Sequence, residues 1–550
     1  MSDARIDPIT SAVVLHRLQT ILHEVAEVMM RTSYSQILNS THDFSTALAD
    51  TNGQILAQAE HVPIHVGGLP WAVLAVRDAF SGQVKRGDVF LANDPYHGGN
   101  HLPDVTVFIP VFAGERQLFW VINRSHQSDI GGGAAGAYNA QAVEIWQEGL
   151  RIPPIRVNEG EEIRHDIIGM LAANVRHARD FEGDIAAMIG SARVGERRVR
   201  GLIDEYGVDT VIAAIDVGLN AAEALSRACI ATWKDGEYHG ESFIDDDGHG
   251  AEDIPIRAKV VKEGSNLTVD LSDCAPQVVG FINSSHANTQ SAIAMALAFM
   301  LDPEVPKNSG TFRPLKVILK EGTVVWPRPP APTTMCTSHV GQDVAEVIVK
   351  ALAGACPERA FAGWGRRFRI AMQGVDPRTD RRFIWHLFQA RPGAGASNAG
   401  DGWPCGGEMQ AAGSVKFGSI EVTEVRFPLF FRHHEFRPDS FGDGKYRGAP
   451  GVRLVLEVET KQASIANMAG DGTKHAPYAL FGGKEGLPHR YQLQSGPQVR
   501  TLRTKESGVA VEPGSVFLIE SSGGGGWGPP EERSPQARDA DIANGFVSPR

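Results

Sequence analysis

The sequence predicts a multidomain α/β chain of the α+β kind, with mainly antiparallel or mixed sheets flanked by helices. Three observations carry this. At 550 residues the chain is too long for one hydrophobic core and suggests about three units of roughly 100–200 residues each. Amphipathic helical runs alternate with short apolar strand-like runs. Tight glycine turns at Asn52-Gly53 and near Gly114 make consecutive strands antiparallel neighbours.

The elements follow in order. Over 11–31, Val14, Leu18, Ile21, Leu22, Val25 and Val28 fall at helical spacing after a Ser/Thr cap, which predicts a core-packing helix. "STALAD-TNG-QILAQA" reads as a hairpin and "GGLPWAVLAVRDAF" resumes a helical pattern. Strands are expected at Val89–Ala92, Val105–Val111 and Leu118–Asn123, the last two forming a hairpin. "IPIRAKVVKEGSNLTVDL" is a further hairpin, "SHANTQSAIAMALAFML" a capped helix, and "WPRPPAPTT" (326–334) a proline-rich break. "DVAEVIVKALAGAC" reads as a helix among many strand-like runs, and "SSGGGGWGPPEERSPQ" as a flexible or specially turned tail. These shifts divide the chain into an N-terminal metal-binding unit (1–245), a middle unit (246–330), a β-rich unit (331–520) and a Gly/Pro-rich tail (521–550).

Bulk properties remove several functions. A balance of 53 Lys+Arg against 65 Asp+Glu gives −12, with no sustained basic run, so nucleic acid is not an expected partner. No apolar run reaches the roughly 18 residues of a membrane span, and "MSDARIDPITSAVV" lacks the parts of a secretory leader, which predicts a cytoplasmic protein. Cys229, Cys274, Cys336, Cys356 and Cys405 lie far apart without a CxxC, so reduced, mostly buried thiols are expected. Cys274 in "DLSDCAP" has no identifiable base nearby and reads as inert. "GDGKYRG" (442–448) and "GGKEG" (482–486) lack the spacing of a phosphate loop, so ATP is expected to bind elsewhere.

The concentrated chemistry lies in "LANDPYHGGNHLPD", residues 91–104. Pairing 105–111 with 118–123 about Gly114 puts Asp104 opposite Ser125, with His126 emerging beside it. His101 precedes Asp104 by three residues, and Pro103 stiffens the step so that both side chains can aim at one point. "STHDFS" offers His42 or Asp43 as a fourth donor, on pattern alone. Two imidazoles and two carboxylates suit Zn²⁺ or Mn²⁺. "RSHQSDIGGG" adds Asp129 and glycines that allow close approach of a ligand. "HVPIH" adds His61 and His65 as proton-transfer or supporting groups. Set against this, Asn-Asp-Pro followed by Gly-Gly is good turn chemistry without any metal.

"HDFSTALAD", "HVPIHVGGLP", "GDVFLANDPYHGGNHLPDVTVFIPVF", "RSHQSDIGGGAAGAYN", "EGLRIPP", "NVRHARDFEGDIAA" and "RPDSFGDGKYRGAPG" together resemble the hydantoinase B/oxoprolinase family over nearly the whole chain. The resemblance implies one half of an ATP-dependent enzyme that opens cyclic amides, such as a hydantoin, oxoproline or caprolactam ring. Its usual partner is a hydantoinase A-type ATPase subunit, which binds ATP and Mg²⁺ and phosphorylates the amide oxygen. By motif, the resemblance carries a metal site onto Asp43, His101, Asp104 and His126. Beside it, Asp129 or His65 is the candidate on chemical grounds for taking the proton when water attacks. Ser419 and Phe441 depart from the family pattern, both in the second half. Two alternatives accompany this reading: a subunit of an ATP-dependent ketone carboxylase, and a non-catalytic scaffold subunit.

Overall fold

The computed structural model describes residues 6–404, 406–411, 415–416 and 418–548. Its centre is a seven-stranded antiparallel sheet built from β1 (Phe44–Asp50), β2 (Ile55–Glu60), β3 (Val89–Ala92), β4 (Asp104–Ala113), β5 (Arg116–His126), β6 (Ile155–Glu159) and β7 (Glu162–Ile163), in the order β2-β1-β5-β4-β3-β6-β7. Alternation along β5 shows how both faces are used. Phe119 and Val121 join the main core, whereas Trp120 and Ile122 join a separate cluster on the opposite face.

Helices cover each face. α1 (Pro8–Thr32) buries Val14, Leu18, Ile21, Leu22, Ala26 and Met29 in the main core. It starts three residues earlier than the periodicity suggested, because Asp7 caps it by accepting from the Thr10 amide and Pro8 fits the first turn. α2 (Leu69–Ala79) closes the other face with Leu69, Val73 and Val76. Two long helices, α3 (Ala178–Tyr206) and α4 (Val208–Ala231), were not anticipated from the pattern. Glycines interrupt the apolar stripe of α3 for a steric reason: a Cβ at Gly195 would lie 2.8 Å from Val25 and 2.9 Å from Val121, so glycine lets this helix seat on α1 and β5 at once.

A second sheet runs β11-β10-β9-β8, from β8 (Gly236–Asp246), β9 (Glu252–Glu263), β10 (Asn266–Asp270) and β11 (Leu315–Ile318), with β10 and β11 parallel. α5 (His286–Met300), capped by Ser285, and α6 (Val340–Leu352) belong to the same main core, which runs on from Val14 to Ala469. The remaining strands are β12 (Phe368–Asp376), β13 (Arg381–His386), β14 (Leu429–Phe436), β15 (Val452–Val458), β16 (Ser464–Gly470), β17 (Arg490–Ser495), β18 (Gln498–Thr501), β19 (Lys505–Val511) and β20 (Val516–Glu520). They form two antiparallel sheets, β13-β12-β16-β19 and β14-β15-β20-β17-β18, joined by a core that includes Ile370, Trp385, Leu454, Met468 and Phe517. The expected antiparallel-to-mixed α+β architecture is what the chain adopts.

The glycine-rich end is specially turned, not flexible. Its backbone threads between the two earlier glycine loops: Gly442 N donates to Gly524 O at 2.8 Å, Gly526 N to Lys484 O at 2.9 Å, and Trp527 N to Tyr446 O at 2.9 Å. The glycines of "GDGKYRG", "GGKEG" and "SGGGGWG" are thus used for backbone-on-backbone packing. Cys274, Cys336 and Cys356 are buried and Cys229 half-buried, all as free thiols, and Cys405 lies outside the described residues. Burial pushes the Cys274 thiol up to about 12, in keeping with an inert residue. Among the described residues, no helix is long and apolar enough to cross a membrane.

Candidate metal centre

The site sits at the open end of the β4/β5 hairpin. Without irregularity, the turn would pair Asp104 with Ser125 and send His126 to the opposite face. A bulge changes this. Phe112 pairs with Gln117 but Val111 with Phe119, so Leu118 is an extra residue, and Asp104 pairs directly with His126. Both side chains therefore share one face. Gln127 N donates to Pro103 O at 2.8 Å, which ties the strand end to the HxxD turn.

His101, Asp104 and His126 are buried, and one ligand atom from each lies within 4.8 Å of the others. His101 Nε2 is 2.7 Å from Asp104 Oδ1 and 3.2 Å from His126 Nδ1, and His126 Nδ1 is 3.1 Å from the same carboxylate oxygen. Ligand atoms bound at about 2.0–2.2 Å around one cation lie roughly 3 Å apart, so this spacing fits a shared ion with slight expansion. Asp104 Oδ2 has no hydrogen-bond partner although fully buried, as a donor atom reserved for a cation would. Burial pushes the Asp104 carboxyl up, but the His101 and His65 rings outweigh it and hold it well below the usual carboxylate range. Burial likewise pulls His101 down, and Asp104 more than compensates, leaving the ring above its ordinary value.

His65 joins this group. Its Nε2 stands 3.5 Å from Asp104 Oδ2 and 3.5 Å from Asp43 Oδ1, so it bridges the triad to the fourth expected residue. His42 adopts a left-handed φ of 59° before Asp43, whose carbonyl accepts from His126 N at 3.0 Å. Burial pushes the His65 ring below its ordinary value despite the two carboxylates, and its Nδ1 is without a partner. Asp129 is used differently. Its two oxygens accept from Gly131 N, Gly136 N, Arg176 N and Arg176 Nη1 at 2.8–3.3 Å, clamping the glycine-rich loop instead of joining the His/Asp cluster. His61 packs against Phe44 at 4.6 Å between ring centroids and serves the core.

Several supporting groups escaped the sequence reading. Thr334 O accepts from His101 Nδ1 at 2.5 Å, which fixes the ring so that Nε2 faces the cluster. That carbonyl is placed by Glu148, whose carboxylate accepts from Thr333 N and Thr334 N, each at 2.7 Å. Arg124, fully buried on β5, donates to His65 O at 2.9 Å and to Asn100 Oδ1 at 3.0 Å. Both Glu148 and Thr334 are far in sequence from the residues they serve, so no local pattern pointed to them.

The Hydantoinase B/oxoprolinase profile matches residues 7–530. The chain belongs to that family. Among its relatives, the caprolactamase subunit beta of Pseudomonas jessenii is 35% identical over 99% of this chain and 94% of its own length. The crystal structure of the ATP-dependent caprolactamase from Pseudomonas jessenii superposes with a TM-score of 0.93 at 34% identity, over 99% of this chain and 95% of that one. A nucleotide-free acetone carboxylase structure shares the fold, with a TM-score of 0.89 at 19% identity, over 98% of this chain and 78% of its own.

Proposed function

We propose that this hydantoinase B/oxoprolinase-family chain is the metal-bearing subunit of a cytoplasmic, ATP-dependent cyclic amide hydrolase. Its substrate is a lactam, hydantoin or oxoproline ring whose amide oxygen has been phosphorylated by a hydantoinase A-type ATPase subunit. The partner binds ATP and Mg²⁺, and the two form a hetero-oligomer. The observation that carries the reading is the convergence of His101, Asp104 and His126, with His65 and Asp43 against them, in a family whose relatives include a caprolactamase subunit.

His101, Asp104, His126 and Asp43 would hold Zn²⁺ or Mn²⁺. Such an ion, when bound, lowers the pKa of water from 15.7 toward about 7 and so supplies hydroxide at neutral pH. The chain's own residues do the rest. Asp104 and the two imidazoles fix the donor geometry, and Thr334 O keeps His101 in the tautomer that presents Nε2. His65, neutral because buried, accepts the proton displaced when water attacks the activated ring carbon. Asp129 holds the Gly131–Gly136 loop beside the cluster. Phosphorylation activates the ring carbon; once water has added, the C–N bond breaks with a proton going to the ring nitrogen, and a second water releases phosphate from the resulting acyl phosphate. Each subunit thus removes a separate part of the barrier, at about 1.4 kcal/mol for every tenfold in rate.

The test combines metal content by plasma mass spectrometry with turnover in the partnered complex. Wild type is expected to carry about one Zn or Mn per chain. Asp104→Ala and His101→Ala should lose the ion and lower ATP-dependent ring opening by at least about a thousandfold. Undiminished ring opening in both variants would sink the reading.

A further inference from the structure

A set of buried arginines lies beside the cluster and is not used by the chemistry above. Arg367, Arg369 and Arg391 are exposed by only 7%, 5% and 2%, and all three gather around one carboxylate, Glu408. Arg369 is committed: its Nε and Nη2 lie 3.2 and 3.4 Å from Glu408, and its guanidinium stacks 4.0 Å over Phe388. Arg391 Nη1 lies against Gly407, the neighbour of Glu408. Arg367 is less committed. One of its nitrogens donates to Tyr138 Oη at 2.7 Å, and its Nε has no hydrogen-bond partner among the described residues. Arg367 forms no ion pair among the described residues, so its buried positive charge is costly unless an anion completes the site.

Position links this charge to the cluster. The Tyr138 ring meets His386 edge-on at 5.5 Å, and His386 Nε2 donates to Ser128 O at 3.0 Å, two residues beyond His126. Arg367 also feels the charge of Asp43, and His101 that of Arg367. A cleft of about 550 Å³ ends at Ser128, His386 and Phe388, and Arg179, Arg381 and Arg382 stand on its rim. Those three exposed side chains make no hydrogen bond or ion pair among the described residues. Of the two carboxylates that also line the cleft, Asp376 is already paired with Arg378, so beside Asp180 the lining arginines are in local excess in a chain of net charge −12.

We propose that Arg367, supported by Arg369 and Arg391, forms an oxyanion subsite that holds a phosphoryl or carboxylate group of the substrate beside the His/Asp cluster. Guanidinium suits both groups because its planar donors match their paired oxygens. The assignment deepens the proposed function and rests on it for the word substrate. Anion binding itself can be measured without turnover.

Titration calorimetry on the metal-loaded chain alone, with inorganic phosphate and separately with acetate, tests it. At least one anion should bind wild type saturably at one site, at least tenfold more weakly in Arg367→Gln, and within about threefold of wild type in Arg367→Lys. Metal content should be unchanged in both variants. Phosphate alone binding identifies the phosphoryl group as the occupant, and acetate alone the carboxylate. If Arg367→Gln does not fold, Tyr138→Phe, which removes only the hydroxyl that holds Arg367, should weaken the same anion severalfold. Absence of binding to wild type, or equal binding by the glutamine variant (by Tyr138→Phe in the second case), overturns the subsite. Anion binding with no ring opening in the partnered complex would instead count against the proposed function and leave the subsite standing.

Discussion

His101 is held from both ends: Thr334 O takes its Nδ1 proton and Asp104 faces its Nε2. The first contact depends on Glu148, which receives two backbone amides and whose carboxyl burial pushes up to about 7. Glu148→Gln keeps the shape but replaces one acceptor oxygen with an amide group that cannot accept. The 333–334 peptide then loses a fixed position, and His101 loses its orienting carbonyl. Outer partners of metal-bound histidines typically contribute 10–100-fold in affinity. Competition with a chromogenic chelator should therefore show metal binding weaker by about that factor in Glu148→Gln, while circular dichroism matches wild type. At this scale the sequence was informative where donors lay close together: HxxD and the strand after it placed His101, Asp104 and His126 near one point. It was silent where the supporting atom was a backbone carbonyl more than 200 residues away, because a carbonyl leaves no mark on residue type.

Elements explain why a correct convergence came from an incorrect register. Counting outward from Gly114 pairs Asp104 with Ser125, and only the extra Leu118 places His126 on the same face as Asp104. Nothing in "GERQLFWV" marks a bulged residue, since Leu118 simply opens the apolar run that Phe119, Trp120 and Val121 continue. The glycine segments carry a second lesson. Their spacing excluded a phosphate loop, but the reason for the glycines emerges only from the packing, where Cβ atoms would collide with backbone: 1.9 Å from Ala394 O at Gly524 and 2.1 Å from Ser440 O at Gly523. Gly524→Ala cannot be relieved by a side-chain rotation, because the obstructing atom is a carbonyl. The expected loss is on the order of 3 kcal/mol, at the upper end of overpacking effects. Thermal unfolding should show it as a clear fall in Tm, whereas Gly508→Ala, with open space at its Cβ, should lose less despite its φ of 74°.

Across the whole molecule, buried charges are distributed so that different regions respond oppositely to pH. Burial pushes Glu408 up, but Arg369, Arg367 and Arg391 outweigh it and hold it down to about 2, against 4.5 for a free glutamate. Between those values the unfolded chain binds a proton that the folded chain does not, so this group's contribution is present above about 4.5 and is lost as pH falls toward 2. Asp471 has the reverse sign. Burial raises it to about 7 in spite of Lys505, whose Nζ lies 3.1 Å away. From 3.8 to 7 the folded chain keeps a proton that the unfolded chain releases, so stability falls as pH rises through that window. A full proton of difference corresponds to about 1.4 kcal/mol per pH unit. Tm measured from pH 2.5 to 8 should therefore show two separable limbs: Glu408→Gln should flatten the one below 4.5, and Asp471→Asn the decline between 4 and 7. If Glu408→Gln left the acid limb as steep as in wild type, the three arginines would not be holding that carboxylate ionised. The buried positive charge beside the cluster would then have to be counted again.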